Sequence, residues 1–253
     1  MLTKLFLLFN FFTISFSKLI RLNNYNSVIL RGPVTSVSVS KWINNINSIN
    51  DDTIYIYITS PGGSVYHGNL FIEQIKSLNA SGKKIECIAE FAASMAFTIL
   101  QSCPIRYALD SSILMQHQIS LQLGGNIKNI NSYLEYINDL SVQLNKNQAS
   151  RLELSDDEFN SRVVHDWWIS GYKAQENNVV DDMVRVLCSS GLIDSEDMII
   201  VDGFFDKIKL KFSKCPLISQ PKNVNNELNQ YLTPYISDLA INQIRQGNYF
   251  NEM

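Results

Sequence analysis

The feature that most constrains the fold of this chain is the segment of residues 90–97, EFAASMAF, with Ser94 near its centre. Residues 84–89 before it are short and largely apolar, as a buried strand is, and residues 97–101 after it continue without Gly or Pro, as a helix does. The alanines around Ser94 predict a tight junction between strand and helix. Such a junction presents a serine hydroxyl beside unpaired backbone N–H groups, so Ser94 is a candidate nucleophile. The alternative is that Ser94 only caps the following helix.

Composition predicts a folded chain with a real core and argues against a nucleic-acid surface and a zinc site. The 253 residues are 45% hydrophobic and 18% charged, which suits one domain with additions or two small domains. A net charge of -3, without runs of Lys or Arg, argues against a nucleic-acid surface. The four cysteines form no CxxC pair, which argues against zinc, and Cys87 lies in an apolar run that predicts a free thiol in the core.

Residues 1–17 have the layout of a secretory signal peptide. Lys4 supplies a positive charge, residues 5–16 are mostly apolar, and Ser15 and Ser17 are small residues at alternate positions. We expect cleavage after Ser17, which an intact mass retaining the first residue would contradict. An uncleaved hydrophobic anchor and a buried first strand are the alternatives.

From residue 27 onward, strand patterns alternate with helix patterns. Strands are predicted at 27–31, 53–59 and 84–89, with helices at 35–49 and 70–78 between them. This alternation predicts an α/β fold of stacked β-α units.

Further elements are predicted along the rest of the chain. Two short strands, 106–109 and 112–115, surround a turn at 110–111, and another short strand at 179–180 is expected to close the domain. Residues 129–147 predict a long helix with apolar residues on one face. Residues 188–253 differ in character and are predicted to be a C-terminal extension of unknown role, with an additional hairpin or edge strand within 199–212.

Three histidines are available as the base for Ser94: His67, His117 and His165. His67 follows the glycine-rich turn, His165 precedes Asp166, and His117 ends an apolar run. Spacing alone does not bring any of them to Ser94, so a triad of serine, histidine and acid is only one reading of the residues.

Five motifs together resemble the proteolytic subunit of Clp protease, the ClpP family. They occur in the order typical of that family, over roughly residues 27–184: SPGGSV at 60–65, AASM at 92–95, RYAL at 106–109, MQHQ at 115–118 and DWWIS at 166–170. The resemblance implies that Ser94 is the nucleophile, His117 the general base and Asp166 the acid that orients the histidine. It also implies that the backbone N–H groups of Gly63 and Met95 form the oxyanion hole.

The same resemblance implies a fold and an assembly. The fold is an α/β spiral of ββα units, as in the crotonase superfamily, with the protease domain at 18–187 and an inserted long handle helix at 129–147. The chain is expected to form heptameric rings, stacked as a tetradecamer around a closed chamber. A separate AAA+ unfoldase would feed unfolded polypeptides into it. ATP would bind only that partner, because this chain has no glycine loop followed by Lys and Ser or Thr.

The sequence departs from the family pattern near the nucleophile. Ala96 stands where the family has Gly, Ile119 where it has Pro, and Glu90 and Phe91 where it has small or amide residues, which predicts a reshaped cleft. The alternatives are a peptidase with a Ser–Lys dyad like the signal-peptide peptidases, a silent ring subunit, and a crotonase-type acyl-CoA enzyme. The leader predicts a secretory or organellar route, whereas the family is typically cytoplasmic or in an organelle matrix.

Overall fold

The computed structural model describes residues 17–202, 207–218 and 221–223. Its elements in chain order are β1 (Lys18–Leu22), β2 (Ser27–Arg31), α1 (Ser36–Asn47), β3 (Thr53–Ser60), α2 (Val65–Ala80), β4 (Lys84–Ala93), α3 (Met95–Gln101), β5 (Ile105–Gln116), α4 (Ile127–Arg151), α5 (Asp156–Val163), β6 (Trp167–Ser170), α6 (Gly171–Glu176), β7 (Asp182–Cys188), α7 (Ser190–Asp194), β8 (Glu196–Asp202), β9 (Lys207–Ser213) and β10 (Pro221–Asn223).

A seven-stranded sheet organises the protein. Its strands follow the order β1-β7-β5-β4-β3-β2, and all of these pairs are parallel. β6 pairs with β5 in the antiparallel direction. Helices connect most of the parallel strands, so the predicted α/β fold is confirmed, including the long helix, which is α4.

Alternation along β3 separates two hydrophobic cores, one on each face of the sheet. Ile56 and Ile58 belong to the larger core, which also contains Trp42 and Phe71 from α1 and α2. Tyr57, between the two isoleucines, belongs to a smaller core on the opposite face. Because successive strand residues point to opposite faces, the near-continuous apolar pattern of β3 follows from burial on both sides.

The prediction of two short strands around residues 110–111 is wrong. β5 is a single strand, and its register with β4 shifts between Ala89 and Phe91, so the additional residues of β5 form an irregularity. Ser112 stabilises it, because its Oγ donates to the carbonyl of Ala89 at 2.6 Å and accepts from the N–H of Leu109 at 2.7 Å. The irregularity leaves the second half of β5 paired with the end of β4, where Ser94 follows.

The closing strand is also displaced from its predicted position. Val179 and Val180 are buried but lie in a bend, and the strand is β7, which pairs with both β5 and β1. β1 was not predicted as a strand; it lies at the sheet edge, where only one neighbouring strand supports it.

The prediction of a free thiol at Cys87 is wrong. Cys87 forms a disulfide with Cys103, and Cys188 forms one with Cys215. Neither pair has a metal-site or redox-motif spacing, so the pairing depends on the fold: β4 and α3 run back against each other and bring Cys87 to Cys103.

The described part of the C-terminal extension forms a small sheet against the main domain. β8 and β9 form an antiparallel hairpin, which confirms the predicted hairpin, and β10 pairs with β9. Arg31 at the end of β2 donates to the carbonyl of Ser213 at 3.1 Å and lies over the ring of Phe212. Burial lowers the pKa of this guanidinium. The extension is therefore anchored at the strand that precedes the turn of residues 32–34.

The leader prediction concerns residues that lie outside the described part of the chain, apart from Ser17. Among the described residues, no helix combines the length and apolar character needed to cross a membrane.

Candidate active site

Ser94 lies at a strained junction between β4 and α3. Its backbone has φ 55° and ψ -121°, a conformation that residues other than glycine rarely adopt. Its N–H donates to the carbonyl of Met115 at 2.9 Å, which ties the junction to β5. Ser94 occupies the N-cap position of α3, but its side chain makes no capping hydrogen bond. The hydroxyl is therefore turned to another partner.

That partner is the imidazole of His117. The Ser94 Oγ lies 2.8 Å from His117 Nε2. Sheet register explains the meeting: β4 and β5 are parallel, and Ala93 pairs with Met115. Ser94 and His117 therefore leave neighbouring strands at the same edge of the sheet, the carboxyl end, where sites of open α/β sheets are built.

Asp166 lies on the other side of the imidazole. β6 pairs with β5 so that Trp167 lies opposite Gln116, and this places Asp166 beside His117. His117 Nδ1 and Asp166 Oδ1 are 3.8 Å apart, close enough for electrostatic attraction but longer than a hydrogen bond. The Asp166 side chain is 56% exposed, against 24% for His117. The structure thus brings the three predicted residues together, with direct hydrogen bonding only between Ser94 and His117.

The glycine turn after β3 packs directly against this junction. Gly62 has φ +88°, and a Cβ there would lie 2.5 Å from the carbonyl oxygen of Ala93 and 2.7 Å from the backbone nitrogen of Met95. Gly63 has φ +139°, and a Cβ there would lie 2.6 Å from the carbonyl oxygen of Val34. Both positions therefore require glycine.

The predicted oxyanion donors lie on either side of this contact. Gly63 follows Gly62 in the turn, and Met95 is the first residue of α3. The first N–H groups of a helix have no acceptor within the helix, and Met95 occupies that position.

The other two histidines lie in different settings. His67 Nδ1 lies 2.9 Å from the Ser64 hydroxyl, at the start of α2. His165 is exposed in the segment between α5 and β6. The described part of the chain contains no group of His, Cys, Asp and Glu side chains that would hold a metal ion.

Sequence reasoning missed three buried polar residues beside the pair: Thr98, Gln116 and Gln148. Gln148 is separated from Gln116 by 32 residues, and no motif links them. This contact would be predictable only if the helical periodicity of α4 showed that Gln148 lies on its buried face.

Comparison with known proteins identifies the family. The model of the Clp protease family matches residues 14–186, well over half of the chain. The chain belongs to the Clp protease family, a family of peptidases.

Curated relatives at low identity carry the same description. The chain is 24% identical over 140 residues to ATP-dependent Clp protease proteolytic subunit 2 of Pseudomonas aeruginosa, covering 54% of this chain and 68% of that protein. It is 27% identical over 137 residues to proteolytic subunit 3 of Streptomyces coelicolor, covering 53% and 62%. It is 21% identical over 161 residues to the proteolytic subunit of Paracoccus denitrificans, covering 62% and 81%.

Proposed function

We propose that this chain is a serine endopeptidase that hydrolyses peptide bonds through Ser94, His117 and Asp166. One observation carries the proposal: the Ser94 hydroxyl stands on a strained junction and meets His117 Nε2 at 2.8 Å. A hydroxyl held in this way has no capping role and has its base in place.

The reaction follows from this geometry. His117 Nε2 accepts the Ser94 proton as the oxygen attacks the substrate carbonyl carbon, and it then protonates the leaving amine. An acyl-enzyme forms at Ser94, and water activated by the same imidazole hydrolyses it. Asp166 favours the tautomer with a proton on Nδ1 and stabilises the imidazolium. We expect its distance of 3.8 Å to shorten when substrate is bound.

The tetrahedral intermediate carries a negatively charged oxygen. We propose the N–H groups of Gly63 and Met95 as its donors, supported by the close packing of Gly62, the residue before Gly63, against the Met95 nitrogen. Removing one such donor costs on the order of 3 kcal/mol of transition-state stabilisation.

The geometry favours the triad over a Ser–Lys dyad, because the partner of the Ser94 hydroxyl is an imidazole rather than a lysine amine. It also favours an active chain over a silent ring subunit, since a subunit without catalysis has no need of a strained serine paired with a histidine.

We also infer that the chain assembles with copies of itself. The relatives are named subunits of ATP-dependent proteases. The 25-residue helix α4 leaves Tyr136 and Val142 exposed, as a helix that packs against another copy would. Heptameric rings stacked as a tetradecamer would enclose the sites. Unfolded polypeptides would arrive from a separate AAA+ unfoldase, which would bind the ATP.

Hydrolysis assays test this function. The purified mature chain, with its oligomeric mass determined, is incubated with fluorogenic peptides and unfolded casein, alongside Ser94→Ala and His117→Ala. We expect cleavage by the wild type only. Activity that survives in His117→Ala would support the dyad, and an inactive wild type of the correct oligomeric mass would support a silent subunit.

A further inference from the structure

Three buried polar side chains lie together behind the Ser94–His117 pair. Thr98 is 7% exposed, Gln116 is 4% exposed and Gln148 is 3% exposed. They come from α3, the end of β5 and α4, which are the helix after the nucleophile, the strand before the histidine and the long helix that contacts α3.

The hydrogen bonds form a chain that ends on His117. The Oε1 of Gln116 accepts from the backbone N–H of His117 at 3.0 Å. Its Nε2 donates to the Thr98 hydroxyl at 3.1 Å and to Gln148 Oε1 at 2.5 Å. Gln148 Nε2 donates in turn to the carbonyl of Leu144, one turn earlier in α4. The Gln116 amide is therefore held at both its oxygen and its nitrogen.

The position of Gln148 on α4 supports a specific role. Only Ile137, Gln148 and Ala149 of this helix are buried, so Gln148 is one of the few α4 side chains that the domain encloses. Burying a glutamine amide is unfavourable unless its groups are paired, and an apolar side chain would fill the same space without that requirement. The amide of Gln148 is therefore better explained by the orientation that its hydrogen bonds impose than by the space that it fills.

We propose that Gln116 is a positioning residue for catalysis, anchored by Gln148 and acting through the backbone of His117. This rests on the proposed function of the Ser94–His117 pair. The Gln116 side chain holds the backbone N–H of His117 and so fixes the residue that carries the imidazole. The side-chain oxygen Oε1 of Gln148 in turn fixes the Gln116 side chain. Thr98 adds a second anchor for the Gln116 side chain, and its Oγ1 also lies 3.5 Å from the carbonyl oxygen of Ser94. We call this chain of hydrogen bonds through Gln116 the bridge. It therefore reaches both partners of the Ser94–His117 pair.

The test compares Gln116→Met and Gln148→Met with a matched control. Methionine keeps the length and volume of glutamine but has no amide. Gln101 is the control residue: it is 5% exposed on α3, and its amide bonds to Arg106 and to the Val179 carbonyl instead of His117. Gln101→Met therefore reports the effect on folding of losing a buried amide, away from the site.

The exchange rate of the His117 backbone amide tests the bridge and does not require an active enzyme. In the assembled protein, we expect the His117 amide to exchange about tenfold faster in Gln116→Met, and faster in Gln148→Met, with no change at His117 in Gln101→Met. Unchanged exchange in Gln116→Met overturns the bridge, whether or not the wild type is active.

Kinetics then test positioning. We expect kcat on a fluorogenic peptide to fall on the order of 10- to 100-fold in Gln116→Met, with KM within about twofold and the oligomeric mass unchanged. Combining Gln148→Met with Gln116→Met should add little, because both act through one chain of bonds. An unchanged kcat, or an equal loss in Gln101→Met, overturns the positioning role. An inactive wild type with altered exchange retains the bridge but removes the positioning role together with the proposed function.

Discussion

Cys87, within β4, and Cys103, just after α3, are joined by a disulfide that spans the junction carrying Ser94. The two cysteines are 16 positions apart in the sequence, and Ser94 lies inside the loop that the bond closes. A second disulfide, between Cys188 and Cys215, ties the C-terminal extension to β7. Disulfides form and persist in oxidising environments, so both bonds require that the protein be handled in its oxidised state.

Removal of the first disulfide is expected to destabilise the fold. For the double variant Cys87→Ala and Cys103→Ala, we expect the free energy of unfolding to fall by about 3 kcal/mol, because a loop of this length is no longer closed in the unfolded chain. Guanidinium unfolding followed by circular dichroism measures the change. Cys188→Ala with Cys215→Ala is the control that leaves the junction closed. An unchanged midpoint in the first variant would show that the bond contributes nothing to stability.

Asp166→Asn tests the acid of the proposed triad. The amide cannot stabilise an imidazolium as a carboxylate does, so we expect kcat to fall on the order of 10³- to 10⁴-fold with the fold intact. The measurement is peptide hydrolysis at neutral pH. Asp110→Asn, an exposed carboxylate at the irregularity of β5, is the control. A loss smaller than tenfold in Asp166→Asn would mean that the distance of 3.8 Å does not shorten in the reacting complex.

Gly62→Ala tests the packing of the glycine turn against the nucleophile. The new Cβ would clash with the Ala93 carbonyl and the Met95 nitrogen, so the turn or the junction must move. We therefore expect peptide hydrolysis to fall by about tenfold or more. Gly82→Ala is the matched control, since Gly82 also has a positive φ of +97° but no atom within 4 Å of its Cβ position. The control is expected to lose only about 1–2 kcal/mol of stability. Equal activity in the two variants would contradict the account.

The buried carboxylate of Glu86 predicts the acid dependence of stability. Burial alone would raise its pKa, but hydrogen bonds from Lys18 at 2.8 Å and Lys84 at 2.6 Å hold the pKa below its usual value. The unfolded chain therefore binds this proton first as pH falls. The stabilisation that ionised Glu86 contributes is complete above about pH 5. It is lost as the pH falls through the lowered pKa of Glu86 in the folded state.

Glu86→Gln checks this pH dependence. We expect the variant to be less stable than the wild type at pH 7, and the difference to shrink as the pH approaches 3. Urea unfolding at several pH values measures it. Glu73→Gln, at an exposed ion pair on α2, is the control and should leave the curve nearly unchanged. A difference of constant size across the range would contradict the role of Glu86.

The sequence predicted the fold well where local patterns agree with tertiary burial. β2 matches its predicted bounds, and β3 and α4 differ from theirs only at the ends, because their hydrophobic patterns are strong. Asp110 and Ser111 predict a turn that divides β5 into two strands, whereas pairing with strands on both sides keeps β5 continuous. The sequence predicts no strand at β1, because the charged residues Lys18 and Arg21 interrupt the apolar pattern of its five residues.

The site was partly visible in the residues and partly dependent on the fold. Motifs point to Ser94, His117 and Asp166, but their meeting depends on the parallel register of β4 with β5 and on the antiparallel return of β6. The disulfide of Cys87 and the bridge of Gln116 depend on helix packing over long sequence separations. No local pattern encodes contacts of that kind.

The measurement that tests the central claim most directly is labelling with a fluorophosphonate probe, with the modified residue mapped by peptide mass spectrometry. The wild type, Ser94→Ala and His117→Ala are compared in the assembled, oxidised state. We expect one adduct, on Ser94 of the wild type, and its loss in both variants. An adduct on another residue, or full labelling of Ser94 in His117→Ala, would contradict a nucleophile activated by His117.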